Sequence, residues 1–449
     1  MISLLSSSRS CVEGALSICS RMAYEVANGV VVGAMEWIVK DNPVKPALVY
    51  MSYDGMLEPL GQSQVVAYLE ILADAYDIHL ISFEKPDDIL RGDAVAQMAA
   101  RLRGAGITWH ARHYHKRPKI ISTIWDMAGA MLLAVILTLR HRVRILHARS
   151  VLCAAMVYPA TLISKTKLLV DIRGFWADER VDGGMIPAGG LVYRVLKVIE
   201  KTMLTRADHV VTLTRASVPV LRDDPRFGNT TAPISVIPTC ADLDLFAPVP
   251  TLSQAVARGT SQPLTIGYVG QIGTWYMLDE MLAFFAAVRR LRPDARLLVV
   301  NKNQQDEIHR AIGRAGIDPA AVEIVASSRA DMPAHIRRMD AGLALIRPFF
   351  SKIASAPTKL AEYLGCGVPV IGNAGCGDMV QIIKKDSVGV AMADTGPEAI
   401  VAAARALLER LQDPALSSRC VNSARQHFAL DEGAARYRAI YDALIEDAS

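Results

Sequence analysis

The chain has 449 residues, enough for two or three domains that each bury a core, which excludes a peptide or a disulfide miniprotein. Apolar residues make up 51% and charged residues 21%, with only 30 Gly and 22 Pro, so low-complexity disorder and collagen-like repeats are excluded too. The formal net charge of +4 is too small to point to a nucleic-acid partner. The seven cysteines (Cys11, Cys19, Cys153, Cys240, Cys366, Cys376 and Cys420) form neither a C-x-x-C pair nor a zinc-spaced set. They point to a reducing, cytoplasmic setting and to no bound metal.

Residues 1–45 read as a poorly ordered extension, with Met22 and Met35 as alternative starts. Arg9, Glu13, Arg21 and Glu25 interrupt its apolar stretches and break the order of a secretory signal. From Ala47, short β-rich runs alternate with helical periodicity, as parallel βαβ units require. Strands are predicted near 47–51, 78–83, 107–114, 144–149, 167–173, 209–214 and 234–238. Helical patterns lie between them at 61–74, 95–103, 120–139 and 191–205. The segment 120–139 has the length of a membrane span and a single charge, Asp126. Basic residues flank it and a strand follows at once, so it reads as a helix packed on its own sheet or lying at a surface, not as a span.

Residues 247–263 are rich in Pro, Ser, Thr and Gly and read as a linker. A second series then places strands near 264–269, 296–300, 322–326, 342–346, 368–372 and 388–392. Its helices fall at 278–291, 306–315, 359–364 and 397–411, with a pair near the C-terminus. The expected organisation is an extension (1–45), a first Rossmann-like domain (46–246), a linker (247–263), a second such domain (264–420) and a helical segment (421–449). This is an α/β fold whose two doubly wound sheets face each other across a cleft, with ligand crevices at the strand ends.

Ile266-Gly-Tyr-Val-Gly-Gln-Ile-Gly273 runs a strand into Gly270, Gln271 and Gly273, where backbone N–H groups can approach a phosphate. Glycines needed only for a tight turn explain it equally well. In Ser355-Ala-Pro-Thr-Lys-Leu-Ala-Glu-Tyr-Leu-Gly-Cys-Gly-Val-Pro-Val-Ile371, Pro357 and Thr358 start a helix whose free N–H groups can face an anion. Glu362, one turn on, suits a ribose diol; the competing reading is a solvated glutamate beside Lys359.

This stretch resembles the donor site of retaining, nucleotide-sugar-dependent glycosyltransferases of family 4, which have the GT-B architecture. Asp54-Gly-Met-Leu-Glu-Pro-Leu-Gly-Gln-Ser-Gln64 resembles the family's first glycine loop, with Gly61 at the donor side. Asp208-His-Val-Val-Thr-Leu-Thr214 and Val236-Ile-Pro-Thr-Cys-Ala-Asp-Leu-Asp-Leu-Phe246 resemble its interdomain segment. The resemblance covers roughly 47–430. It implies a nucleotide diphosphate sugar as donor substrate, bound by Gly61, Gly270, Gln271, Gly273, Pro357, Thr358, Leu360 and Glu362, and no cofactor or metal.

There are departures. The family has two glutamates with seven residues between them, and the first place here is Ala354. The family's diphosphate-holding Arg and Lys are replaced by Gln271 and by Trp275 or Tyr276, so Arg347, Lys352 and Lys359 become the candidate cations. In the first domain His147-Ala-Arg149 and Asp171-Ile-Arg173 end neighbouring strands at the crest. The family often has a histidine near Arg173. Guanidinium stays protonated and is no base, so Asp171, Arg173 and Arg149 are expected to position reactants and stabilise charge. A fold-stabilising Asp–Arg pair is the alternative.

Asp242-Leu-Asp244 imitates a metal-binding D-x-D but has no further ligands and reads as loop caps. The scattered histidines show no ligand spacing and read as core or surface. The implied reaction is hexose transfer to a glycan or polyprenyl-linked acceptor in cell-surface polysaccharide or glycolipid synthesis. Arg101, Arg103, Arg112, His113, His115, Lys116, Arg117 and Lys119 suit peripheral docking on an anionic leaflet. A nucleotide-sugar epimerase and a noncatalytic nucleotide-sugar-binding or partner-binding subunit remain alternatives. An NAD dehydrogenase is disfavoured, since neither glycine stretch reads G-x-G-x-x-G.

Overall fold

A computed structural model describes residues 45–90, 92–115, 119–248 and 263–447, with side chains omitted for 119–124. The expected extension, apart from Lys45, and residues 249–262 of the expected linker lie outside the described residues. From Ala47 onward the chain forms one compact unit.

Seven strands, β1 (Ala47–Ser52), β2 (Asp77–Glu84), β3 (Ile107–His113), β4 (Ile145–Arg149), β5 (Lys167–Ile172), β6 (His209–Thr212) and β7 (Ile234–Val236), form one sheet. Its order is β3-β2-β1-β4-β5-β6-β7, and every pairing is parallel. Six more, β8 (Thr265–Val269), β9 (Arg296–Val300), β10 (Val322–Val325), β11 (Ala341–Ala344), β12 (Val370–Asn373) and β13 (Gly389–Met392), form the second. Its order is β10-β9-β8-β11-β12-β13, again all parallel. Each strand falls where a β-rich run predicted one, because a parallel sheet covered on both faces demands near-continuous apolar runs. Two Rossmann-like domains of the GT-B kind result.

The helices that matter here are α1 (59–72), α2 (Gly92–Gly104), α3 (Lys119–His141), α4 (Val151–Leu162), α5 (Trp176–Asp182) and α6 (Leu191–Arg206). Helix α4 escaped the periodicity reading because it is buried almost all round and has no polar stripe to mark its period. Helix α3 packs on α4. Its one acid, Asp126, is buried and accepts the backbone N–H of His115 at 2.8 Å. Among the described residues no helix is long and apolar enough to cross a membrane.

In the second half lie α7 (Leu278–Leu291), α8 (Gln305–Arg314), α9 (Thr358–Gly365), α10 (Met379–Asp386), α11 (Pro397–Arg410), α12 (Leu416–Phe428) and α13 (Leu430–Glu446). Helix α12 packs on α9, but extended backbone at Ala429 turns the chain so that α13 lies on α1 of the first domain. There Tyr437 and Tyr441 meet Tyr68 and Tyr76 edge-on at 5.7 and 5.2 Å between ring centroids. Asp242 caps its own loop, accepting the N–H groups of Asp244 and Leu245 at 3.0 Å each.

Candidate active site

Strand order reverses between β1 and β4 in the first sheet and between β8 and β11 in the second. The C-terminal ends of these strands are where open α/β sheets bind ligands.

On the first-domain side, β1 runs into the loop 53–58. Buried Glu84, at the end of β2, accepts the N–H of Met56 at 2.8 Å and of Leu57 at 3.3 Å and so fixes that loop. A Cβ at Gly61 would lie 2.1 Å from the carbonyl oxygen of Gly55. Loop closure thus leaves no room for a side chain at this glycine, which was expected at the donor side and does not line the cleft cavity. Next to it a π-helical turn, Gln62–Val66, aims Gln64 inward. Gln64 donates to the carbonyl of Cys240 at 3.0 Å and accepts from Arg173 at 3.1 Å.

Arg149 ends β4 and pairs with Asp54, and the next residue, Ser150, has φ = 109°. That backbone region is costly for a residue with a Cβ, and strain of this kind clusters at functional sites. Asp171 lies near the end of β5. Its carboxylate is buried, lies 3.5 Å from Arg173 and accepts from the Tyr437 hydroxyl of α13 at 3.0 Å. It stands behind Arg173, away from the cavity, and is a positioning residue. Burial pushes its carboxyl up, but Arg173, His147 and Arg149 outweigh that and hold it at about 2.

Between the domains lies a cavity of about 220 Å³. Arg149, Arg173 and Gln64 line it from the first domain; Trp275, Tyr276, Lys352, Pro357 and Thr358 line it from the second. Among the described residues, its charged lining groups are three cations, with no carboxylate. The sites of Pro357 and Thr358 at the start of α9 were legible in the sequence, and both reach the cavity.

The three candidate cations separate. Arg347 is exposed and turns with Gly273 toward a different groove. Lys352 lines the cavity but is bound to Glu179 of α5 at 2.8 Å and lies over the Trp275 ring at 3.9 Å. Lys359 differs from both. Its ammonium is buried, has no hydrogen-bond partner and sits 4.1 and 4.0 Å from the ring centroids of Tyr268 and Tyr276. It faces Gly270, where φ is 119° and a Cβ would come within 3.3 Å of Nζ. Burial lowers its pKa to about 7, against the opposing pull of Glu362.

The glycine loop is held from β9 and α8. Asn301 donates to the Gly270 carbonyl at 2.9 Å, and the Gln304 amide clamps Ile272 through two bonds of 2.9 Å. Gln271 accepts from the Tyr268 hydroxyl through its carbonyl, which holds the loop, while its side chain is exposed and does not line the cavity. Leu360 likewise misses the cavity; it is buried and lines a neighbouring one of about 370 Å³. Glu362 is no solvated glutamate. It is buried and 3.5 Å from Arg329, a residue the sequence reading missed although it follows the end of β10 at the crest. Burial raises its carboxyl, with Arg329 and Lys359 opposing.

Ala354, at the place of the family's first glutamate, is fully buried in an apolar cluster with Phe175 and Phe227 of the first domain. A carboxylate there would have no polar partner in that cluster.

Residues 263–410 match the family described as Glycosyl transferases group 1. No curated protein matches the sequence. Among solved structures, sucrose-phosphate synthase from Thermosynechococcus elongatus is similar at 15% identity and TM-score 0.67, over 90% of this chain and 100% of that one. A glycosyltransferase from Rickettsia africae follows at 15% and 0.63, over 89% and 99%. HepE from Anabaena, solved with UDP and glucose, gives 13% and 0.62, over 88% and 99%. These likenesses establish the GT-B fold, and the family match over the second domain supports glycosyl transfer.

Proposed function

We propose that the protein is a retaining glycosyltransferase of the family 4 type. It moves a hexose from a nucleotide diphosphate sugar, held by the second domain, to a glycan or polyprenyl-linked acceptor held by the first, in cell-surface polysaccharide or glycolipid synthesis. One observation carries this reading: among the described residues, the interdomain cavity is lined by Arg149, Arg173 and Lys352 without a carboxylate, and the Lys359 ammonium, with no hydrogen-bond partner among them, lies just behind it. Such a site favours a diphosphate, whose charge meets guanidinium, ammonium and the free N–H groups of α9. The UDP in HepE supports a nucleotide donor.

In the reaction the acceptor oxygen bonds to the anomeric carbon as the bond from that carbon to the leaving phosphate breaks. The departing phosphate oxygen takes the acceptor's proton, so no protein base is required. Arg173 and Lys359 stabilise the charge that develops on the leaving group. Arg149 and Gln64 orient the reactants, and closure of the cleft excludes water. Glu362, with Arg329 beside it, accepts hydrogen bonds from the donor ribose. A panel of nucleotide sugars screened by thermal shift tests the reading, which expects one donor class to raise Tm. Glu362→Gln is expected to weaken that donor by about 1.5–3 kcal/mol, the scale of a hydrogen bond to a charged group. Unchanged calorimetric affinity would remove Glu362 from the site.

The membrane contact is a further part of the proposal. Arg101 is engaged by Glu70 and His115 by Asp126, which weakens the case for those two basic residues. An apolar surface supports docking better: Trp125, Leu132, Ile136 and Leu139 on α3 and Leu191, Val192, Val195 and Val198 on α6 are exposed, and both helices pack on α4. Carbonate washing of isolated membranes is expected to release the protein, whereas high salt, which screens charge but not apolar contact, is not expected to suffice. Retention until detergent is added would contradict peripheral attachment.

A further inference from the structure

At the end of the first sheet opposite the cleft, three histidines distant in sequence converge. Asp77 and His79 stand two apart on β2 and so share a face. The β2–β3 register pairs His79 with Thr108 and Ile81 with His110, which sets His110 diagonally beside His79. Helix α3 ends with His141 against them, its ring centroid 4.1 Å from that of His79.

His79 uses only one of its nitrogens. Nδ1 lies 3.3 Å from Nε2 of His110, a hydrogen bond. Nε2 has no hydrogen-bond partner among the described residues, although the residue is only 3% exposed. It points at the Asp77 carboxylate, 3.8 Å away. One ligand atom from each of Asp77, His79 and His141 lies within 4.8 Å of the other two.

We propose that Asp77, His79 and His141 bind a divalent transition-metal ion of the zinc class, with His110 orienting the His79 ring. When Nε2 of His79 ligates, Nδ1 carries the proton and donates it to His110, the outer-shell bond that metal-bound imidazoles usually make. Two imidazoles and a carboxylate, with water as fourth ligand, are a common zinc set, whereas calcium and magnesium prefer oxygen throughout. Ligand atoms in a tetrahedral site of this kind lie about 3.3 Å apart, so the side chains draw inward on binding. Asp77, with its side chain 46% exposed, is free to do so.

The site lies apart from the cleft. His79 aligns through Val49 with Leu146, three positions before Arg149 on β4, or about 10 Å along the strands from the cleft. The ion ties β2 to the end of α3, the helix whose outer face carries the exposed apolar residues.

The test uses the full-length chain after EDTA treatment, titrated with Zn²⁺ by calorimetry, followed by thermal unfolding and by Co²⁺ substitution read from visible absorption. Binding of about one ion per chain, a higher Tm and a tetrahedral Co²⁺ spectrum are expected. Asp77→Ala and His141→Ala, both at accessible positions, should each weaken binding by at least about tenfold and abolish the spectrum; His110→Ala should weaken it less. An absence of stoichiometric binding by the wild-type chain, or binding that both Asp77→Ala and His141→Ala leave intact, would overturn the assignment.

Discussion

Replacing Lys359 with methionine is expected to weaken donor binding by about 1.5–3 kcal/mol, roughly tenfold to a hundredfold, while raising the melting temperature of the ligand-free protein at pH 7. The two effects oppose each other because the ammonium is buried without a hydrogen-bond partner. With a folded-state pKa of about 7 against an unfolded value of 10.5, the folded chain binds fewer protons than the unfolded one between those limits. The destabilisation is fully present below about pH 7 and is relieved as pH rises toward 10.5; methionine removes it at every pH. A lysine retained for the fold would show the opposite Tm change. Bound diphosphate recharges the amine, so donor binding takes up a proton, and affinity falls by up to about tenfold per pH unit above 7. Calorimetry in two buffers of different ionisation enthalpy measures that uptake. Its absence in the wild-type protein, or its persistence in Lys359→Met, would contradict the assignment.

Asp171→Ala is expected to cost about 1–3 kcal/mol of stability, because it leaves the Tyr437 hydroxyl unpaired and takes the carboxylate from the partly buried Arg173 guanidinium, which keeps Gln64. Arg173→Ala is expected to reduce turnover by at least about tenfold, or about 1.4 kcal/mol of barrier, because this side chain lines the cavity, and also to lower Tm, because it takes the main counter-charge from the buried Asp171 carboxylate. Chemical denaturation and steady-state kinetics separate the two. Equal Tm losses with unchanged turnover in Arg173→Ala would make the pair purely structural. Asp171 also sets an acid limit. Its folded-state pKa of about 2 lies below the model-peptide 3.8, so its contribution is present above about pH 3.8 and is lost as pH falls through 2.

The fold was legible because parallel strands covered on both faces are written as short apolar runs, and all thirteen appear at the expected places. Helix α4 was not, since a helix without a polar face has no visible period. At the cleft, the residues that chain position singled out, Arg149, Arg173, Lys352, Pro357 and Thr358, all line the cavity. What remained hidden was pairing across long sequence distances. Nothing local tells that Lys352 is held by Glu179, that Glu362 meets Arg329, or that α13 returns to place Tyr437 on Asp171. The meeting of His79 with His110 was hidden for the same reason: sheet register, not spacing, brings them together, and His141 joins them from the end of α3.

Incubating the purified protein with the donor that raises its Tm and a matching glycan or polyprenyl-linked acceptor, and following the anomeric proton of the sugar by NMR, tests the central claim most directly. A retaining transferase moves the hexose to the acceptor with its anomeric configuration unchanged and releases nucleoside diphosphate in equal amount. Interconversion of the nucleotide sugar without acceptor, an inverted product, or tight donor binding without turnover would contradict it.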